Sequence, residues 1–378
     1  MANNFLYIDD APKDRREGSA IGLREPGVLE ITPKEPLSWN DQINQIVKSV
    51  DTFDGIILDW RLTEELQRLS PESEDNSIKY SAEALAQHLR FLATEKEVLK
   101  KDIPIVLCSM NHGFKNHYKR DSTGHDLFDE VYEKMEFTEN HSSVVNELQS
   151  LANVYKVLQT GKPSWYSILS VPKETKLDVR LVNSLSTLIA NMVPHVLVRF
   201  LLNEVVKKPG VLIDEHILAA RLGIDKDGSR DWQRLLDKAI NPKMKYSGLL
   251  STGWNRWWAE GFVQWWKAEV SPQHPQLLGA GQRVTLLKEK TGLENLIPAE
   301  KLKFCASDEY WTVCVATKRP IDISDGLRIL SDNPYAWQDE QFISLFALLE
   351  RTIPKAFKLS PLEKERFDYL KKIAKENG

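Results

Sequence analysis

Short apolar runs alternate with segments of helical spacing over roughly the first 150 residues of the chain. The segments DQINQIVKSV and SAEALAQHLRFLATE carry apolar residues with the period of helices. This alternation predicts a parallel sheet with helices on both faces. The runs that we interpret as strands are NFLYI before Asp9 and Asp10, GIILD ending at Asp59, IPIVLCS ending at Ser109, and EVYEK ending at Lys134.

The pattern becomes mainly helical beyond a boundary predicted between residues 155 and 165. A strongly apolar stretch ends at Pro209-Gly210, and Pro194 splits it into what we interpret as a core helix pair or a dimerisation surface. From Val284 onward, a strand-like segment and two helical segments indicate a small mixed domain. We therefore predict three parts, which are residues 1–155, a helical output region over 165–283, and a small α+β domain over 284–378.

Composition narrows the class of protein. A length of 378 residues favours two or three domains, and 42% hydrophobic with 28% charged residues is typical of a globular protein. No secretion signal or membrane-spanning run is evident, which predicts a cytoplasmic protein without a membrane partner. The three cysteines lie in apolar stretches and indicate buried thiols. A formal net charge of -4 gives no broad basic surface for nucleic acid.

Acidic residues directly follow the first predicted strand and end the second. Ligands of such sheets bind at the carboxyl ends of the strands, so Asp9, Asp10 and Asp59 should meet there. Three neighbouring carboxylates repel one another unless a hard cation neutralises them, and Mg²⁺ prefers such oxygen ligands. A carboxylate at this position can accept a phosphoryl group. Lys134 and the Ser109 hydroxyl could then stabilise the phosphoryl oxygens.

Four motifs in order resemble the receiver domain of two-component response regulators. The resemblance covers residues 1–155 and implies an α/β, doubly wound, parallel five-stranded fold. It also implies Mg²⁺ and a histidine kinase or phosphotransfer protein as the phosphoryl donor. The matching motifs are IDDAP, ILDWRL, IPIVLCSM and VYEKMEF. By this resemblance Asp9, Asp10 and Asp59 hold the metal, Asp59 is the phosphoacceptor, Ser109 is the switch hydroxyl, and Lys134 is the salt-bridging lysine.

Three positions depart from the receiver pattern. Met135 stands where receivers usually have a proline, and Trp60 directly follows the acceptor. Val131 occupies the position of the aromatic switch residue, with Tyr132 beside it. These departures keep open the alternative of a degenerate receiver that acts only as a scaffold.

The output region contains two segments that could contact a partner. Residues 214–240 resemble a helix-turn-helix, with Gly223 at the bend, a second helix starting at Ser229, and Arg230 and Gln233 facing base edges. Four aspartates in this segment would repel phosphates, so a packing hairpin is the favoured interpretation. Residues 254–266 are rich in tryptophan; the indoles either fill a core or, through Trp257 and Trp258, contact a partner.

The sequence as a whole predicts a response-regulator-like signalling protein. Phosphorylation of Asp59 would be relayed to an output that works through a protein effector. The chain would be the substrate of its kinase rather than an enzyme. A DNA-binding regulator acting through residues 214–240 and an enzyme with a dispersed site remain alternatives, and the sequence leaves the oligomeric state open.

Overall fold

A computed structural model describes the chain with a few internal gaps. The described residues are 2–62, 80–95, 98–110, 114, 127–173, 175–331, 334–350 and 357–376. They form two compact units. The first unit consists of Met1–Leu169, Asn183–Leu202 and Gly248–Trp254, and the second of Ser170–Val182, Asn203–Ser247 and Asn255–Gly378.

The two units differ from the predicted three-part division. The predicted boundary after residue 283 lies inside a helix, Ala280–Thr291, in which Arg283 and Val284 are both buried. The predicted end at residue 155 also lies within a helix, His141–Thr160. Both helices continue through the predicted boundaries, so the apolar pattern of the sequence does not change at these two positions.

The first unit is built on a five-stranded parallel sheet with the strand order β2-β1-β3-β4-β5. This order is that of the flavodoxin-like doubly wound fold, so the predicted five-stranded parallel α/β architecture is confirmed for the first unit. The segment of β2 was not identified from the apolar pattern. The strands are β1 Asn3–Ile8, β2 Leu29–Lys34, β3 Gly55–Asp59, β4 Ile105–Ser109 and β5 Glu130–Glu133.

The two helices predicted from DQINQIVKSV and SAEALAQHLRFLATE are present in the first unit as Trp39–Ser49 and Ala82–Glu95. Many helices of the second unit are short. Three stretches of π-helix, Leu201–Val206, Leu236–Ile240 and Trp266–Val270, follow α-helices directly. No described helix is both long and apolar enough to cross a membrane. The α-helices are α1 Lys13–Leu23, α2 Trp39–Ser49, α3 Ala82–Glu95, α4 Glu136–Glu139, α5 His141–Thr160, α6 Trp165–Leu169, α7 Val179–Asn191, α8 Pro194–Phe200, α9 Glu215–Leu222, α10 Trp232–Leu235, α11 Asn241–Met244, α12 Ala259–Trp265, α13 Ala280–Thr291, α14 Leu345–Leu349 and α15 Lys364–Glu376.

Burial on both faces of the sheet explains why the central strands of the first unit are continuous apolar runs in the sequence. Both faces of the central strands are covered, so alternating polar positions are absent from β3 and β4, where every residue is buried. Ile56 and Leu58 of β3 pack with Leu85 and Leu89 of α3 in one cluster. Each such side chain contributes about 1.5–3 kcal/mol on burial.

A buried ionic network lies in the first unit at the amino ends of β4 and β5. The Arg90 guanidinium donates to Asp102 Oδ1 at 2.8 Å and to Asp129 Oδ2 at 2.7 Å. Asp102 Oδ2 also accepts the His195 backbone N–H at 2.9 Å, and the Tyr155 hydroxyl donates to Asp129 at 2.7 Å. This network fixes the start of α8 within the same unit as the sheet.

The tryptophan-rich segment forms part of the second unit's core. Trp257 and Trp258 are 2% and 1% exposed and form the short strand β7, Trp257–Trp258, which pairs with β6, Leu212–Ile213. Their indoles fill the interior, so the structure does not place these two side chains where they could contact a partner. Large apolar rings gain most from burial, and this gain decided between the two interpretations.

The predicted helix-turn-helix is a packed hairpin in the structure. Gly223 ends α9 with a left-handed φ of 73°, as predicted for the bend. The second helix begins at Trp232 rather than at Ser229, and the Ser229 hydroxyl accepts the Ile297 N–H at 2.8 Å. Arg230 is exposed, as is Gln233, whose amide donates to Asp237 at 3.0 Å.

The remainder of the second unit contains two small antiparallel sheets. The helical segment predicted from Ala336 onward instead contains the strand Phe342–Ser344, which is followed by the short helix α14. Ser344 caps α14 by accepting the Ala347 N–H at 3.2 Å, which explains where the helix begins. The strands are β8 Thr312–Val313 paired with β9 Pro320–Ile321, and β10 Gly326–Arg328 paired with β11 Phe342–Ser344.

Candidate functional site

Three aspartates meet at the carboxyl edge of the sheet. Asp9 and Asp10 directly follow β1, and Asp59 is the last residue of β3. Ile8 and Leu58 are register partners, so the chain brings the acidic residues of the two strands side by side. One carboxylate oxygen from each aspartate lies within 4.8 Å of the others, and all three residues are buried. The sequence therefore placed these side chains together correctly.

Lys134 completes the cluster from the far strand. It follows β5, and its backbone N–H donates to the Ser109 carbonyl at 2.8 Å, which extends the pairing of β5 with β4. Its ammonium group lies 2.7 Å from Asp9 Oδ2 and 2.6 Å from Asp59 Oδ1. Burial lowers the pKa of Lys134. The adjacent Cys108, Asp59 and Asp9 raise the pKa by more than burial lowers it, so the amine stays protonated.

Asp59 experiences opposing influences on its protonation. Together these influences raise its pKa from 3.8 to about 6: burial raises it most, Lys134 lowers it, and the neighbouring Asp9 carboxylate raises it. The Arg61 backbone N–H donates to Asp59 Oδ2 at 3.0 Å and also favours the ionised form. Desolvation dominates because the carboxyl group is only 8% exposed. Without a bound cation, the pKa of Asp59 is thus about 6, and the group is partly protonated near that pH.

The residues of this cluster fit a divalent cation. Three carboxylates are gathered in one buried cluster, and like charges at such short range are costly unless cations offset them. Carboxylate oxygens are hard ligands, and Mg²⁺ is bound in proteins through one or two carboxylates with its remaining positions filled by water or phosphate oxygens. Asp9, Asp10 and Asp59 therefore constitute a donor set suited to Mg²⁺.

A cavity of about 520 Å³ opens beside the cluster. Its walls include the three aspartates, Ser109, Lys134 and residues of α1 and α4. Ser109 ends β4 and faces this cavity, as its predicted role requires. The cavity is large enough to admit a phosphoryl group together with part of the molecule that carries it.

Trp60 is held against α3. Its indole N–H donates to Glu83 at 3.0 Å, and its ring lies 4.8 Å from that of Phe114. Tyr132, beside the predicted switch position Val131, is buried and donates its hydroxyl to Glu147 at 2.6 Å. Trp60 and Tyr132 therefore both have defined hydrogen-bond partners that keep them in place.

Two residues of the site were missed by sequence reasoning. The Tyr7 hydroxyl contacts Asp9 Oδ2, and Arg16 donates to the carbonyl oxygens of Asp9 and Ala11 at 3.3 and 2.8 Å. Strand alternation was the available signal for Tyr7, since residues two apart in β1 share a face. Arg16 carried no comparable signal, because its role depends on how α1 packs.

Comparisons with known proteins add little to this description. No family model matches the chain, and no curated protein matches it. One similar solved structure is that of the Salmonella typhimurium RcsB response regulator, described in terms of conformational dynamism for DNA interaction. It is 13% identical, covers 48% of this chain and 67% of its own, and has a TM-score of 0.23. The fold assignment therefore depends on the strand order and the site geometry.

Proposed function

We propose that the first unit is a phosphoryl-accepting receiver domain and that Asp59 is its acceptor. The observation that carries the proposal is the position of Lys134, whose ammonium group bridges Asp9 at 2.7 Å and Asp59 at 2.6 Å. The bridge lies within a buried group of three carboxylates at the ligand-binding edge of the sheet. This arrangement has the charges and the access that phosphoryl transfer to a carboxylate requires.

The donor in this proposal is a histidine kinase or a phosphotransfer protein that carries a phosphohistidine. An oxygen of Asp59 attacks phosphorus, a P–O bond forms, and the P–N bond breaks with its electron pair remaining on the imidazole nitrogen. Mg²⁺ held by Asp9, Asp10 and Asp59 would offset the negative charge of the transferring group. Lys134 supplies a positive charge and Ser109 a hydroxyl donor to the phosphoryl oxygens.

Phosphorylation would act on the rest of the chain through charge. An aspartyl phosphate adds about one to two negative charges, and Lys134 would then be shared between Asp9 and the phosphoryl oxygens. The output in this proposal works through a protein effector, since residues 214–240 form a packed hairpin with acidic neighbours. The chain is thus a substrate of its kinase rather than an enzyme.

Magnesium-dependent modification tests the proposal directly. Acetyl phosphate labelling, or binding of beryllofluoride, should be saturable in the wild type, require Mg²⁺ and disappear in Asp59→Asn. Asp14→Asn removes an exposed carboxylate near the start of α1 and should be labelled like the wild type. Equal absence of labelling in the wild type and in Asp59→Asn would reject phosphoryl acceptance and favour a scaffold.

A further inference from the structure

A tyrosine hydroxyl is buried underneath the acidic cluster. Tyr7 is the penultimate residue of β1, paired with Pro33 of β2 and Ile57 of β3, and its side chain is fully buried. Its hydroxyl donates to Asp9 Oδ2, the same oxygen that accepts from Lys134 at 2.7 Å. A buried hydroxyl is costly unless it is hydrogen-bonded, and this one has its partner in the acidic cluster.

The Asp9 carboxylate has little capacity left for a further partner. A carboxylate offers about four lone pairs. Oδ2 accepts from Tyr7 and Lys134, and Oδ1 accepts the Ala11 N–H at 2.9 Å. Any cation that approached Asp9 would compete with these donors for the same oxygens.

We propose that Tyr7 is a positioning residue whose hydroxyl competes with a bound divalent cation for Asp9. It thereby weakens Asp9 as a ligand and lowers the affinity of the site for Mg²⁺. The inference rests on the proposed function, since it concerns the metal site of the same cluster. Without metal, the hydroxyl compensates part of the charge of Asp9; with metal bound, the cation supplies that compensation, and the hydroxyl becomes dispensable.

The first test is Tyr7→Phe, which removes the hydroxyl and keeps the ring. Calorimetric titration should give a Kd for Mg²⁺ that is lower by about threefold to tenfold, the equivalent of one ordinary hydrogen bond. Urea unfolding should show a lower midpoint for the metal-free variant than for the metal-free wild type. With saturating Mg²⁺ the two midpoints should approach each other.

Tyr155→Phe is the matched control. Tyr155 is also buried and also donates its hydroxyl to a carboxylate, that of Asp129 at 2.7 Å, but at the amino ends of the strands. Its loss should lower the unfolding midpoint by the same amount with and without Mg²⁺ and should leave the Kd unchanged. A Tyr7→Phe variant that behaved in this way would show that Tyr7 only fills the core and would overturn the inference.

A second variant isolates the contact. In an Asp9→Ala background both side-chain oxygens are absent, so adding Tyr7→Phe should leave the Kd for Mg²⁺ unchanged. An effect of the same size in both backgrounds would overturn the competition between the hydroxyl and the cation.

The remaining outcomes are also decisive. A Tyr7→Phe chain that folds only with Mg²⁺ would support the inference, because the metal then replaces the hydroxyl; one unfolded under both conditions would overturn it. Failure of the wild type to bind Mg²⁺ would reject the metal site of the proposed function together with the inference. Normal binding by the wild type with an unchanged or weaker Tyr7→Phe would reject the inference alone.

Discussion

Asp59 combines two requirements that oppose each other. A nucleophilic carboxylate must be ionised, yet burial at the strand end favours its neutral form. Lys134 at 2.6 Å and the Arg61 N–H at 3.0 Å reduce this conflict without removing it, and the pKa remains at about 6. A bound cation would favour ionisation further. In the proposed function, metal binding would therefore also ionise the carboxylate that accepts the phosphoryl group.

The raised pKa of Asp59 makes the stability of the metal-free protein depend on pH. Its contribution to stability is fully present below pH 3.8 and is lost as the pH rises through about 6. The free energy of unfolding of Asp59→Asn should therefore exceed that of the wild type increasingly from pH 4 to 7.5, by up to about 3 kcal/mol. Urea unfolding in EDTA measures this difference.

Asp14→Asn serves as the control for this pH dependence, because Asp14 is an exposed carboxylate of the same unit. Its difference from the wild type should change little over the same pH range. A difference between Asp59→Asn and the wild type that stayed constant with pH would contradict the predicted protonation of Asp59.

At the scale of elements, the ends of strands and helices carry most of the specific contacts. The carboxyl ends of β1 and β3 supply the acidic cluster, while the amino end of β4 is held through Asp102 and Arg90. Helices in the second unit end at left-handed glycines, as at Gly223 after α9 and Gly292 after α13. The two glycines share their backbone conformation but differ in their surroundings.

This pair of glycines separates backbone strain from crowding. A Cβ at Gly223 would lie 2.8 Å from the Ala280 Cα, whereas a Cβ at Gly292 would meet nothing within 4 Å. Gly292→Ala should cost about 1 kcal/mol, since only the left-handed φ of 69° is penalised. Gly223→Ala should cost about 2–4 kcal/mol, because the crowding adds to the same strain. Denaturant unfolding compares them, and equal costs would show that Ala280 yields freely.

At the scale of the whole molecule, each unit has its own hydrophobic core. The acidic cluster belongs to the first unit, and the core that contains Trp257 and Trp266 belongs to the second. Signalling from Asp59 to the output would require that phosphorylation alters the second unit. In the proposed function, phosphorylation of Asp59 is the step through which the first unit acts.

Trp258→Ala tests how strongly a fully buried tryptophan contributes to folding. Trp258 is among the largest fully buried side chains, so its truncation should lower the free energy of unfolding by about 3–5 kcal/mol. Tyr369→Ala removes an aromatic ring that is 64% exposed and should change it by less than about 0.5 kcal/mol. Urea unfolding gives both values; a small effect of Trp258→Ala would contradict its role in the core.

The sequence alone was sufficient to predict four strands of the first unit and the polar residues at their carboxyl ends. Buried parallel strands are short continuous apolar runs in the sequence. The polar residues of the candidate site end these strands or directly follow them, and they are Asp9, Asp10, Asp59, Ser109 and Lys134. These features are local, because each strand and its terminal residue lie within a few positions. Parallel pairing then brings the carboxyl ends together without further information.

Only the tertiary structure decided the features that depend on partners distant in sequence. Buried and exposed residues mix along β2, and this pattern did not identify the segment as a strand. Only its pairing with β1 in the structure does so. The contacts of His195 with Asp102 and of Ser229 with Ile297 join residues more than 60 positions apart. Whether Trp258 faces a core or a partner depends on the same long-range packing. An apolar pattern records that a side chain is buried, but not which element buries it.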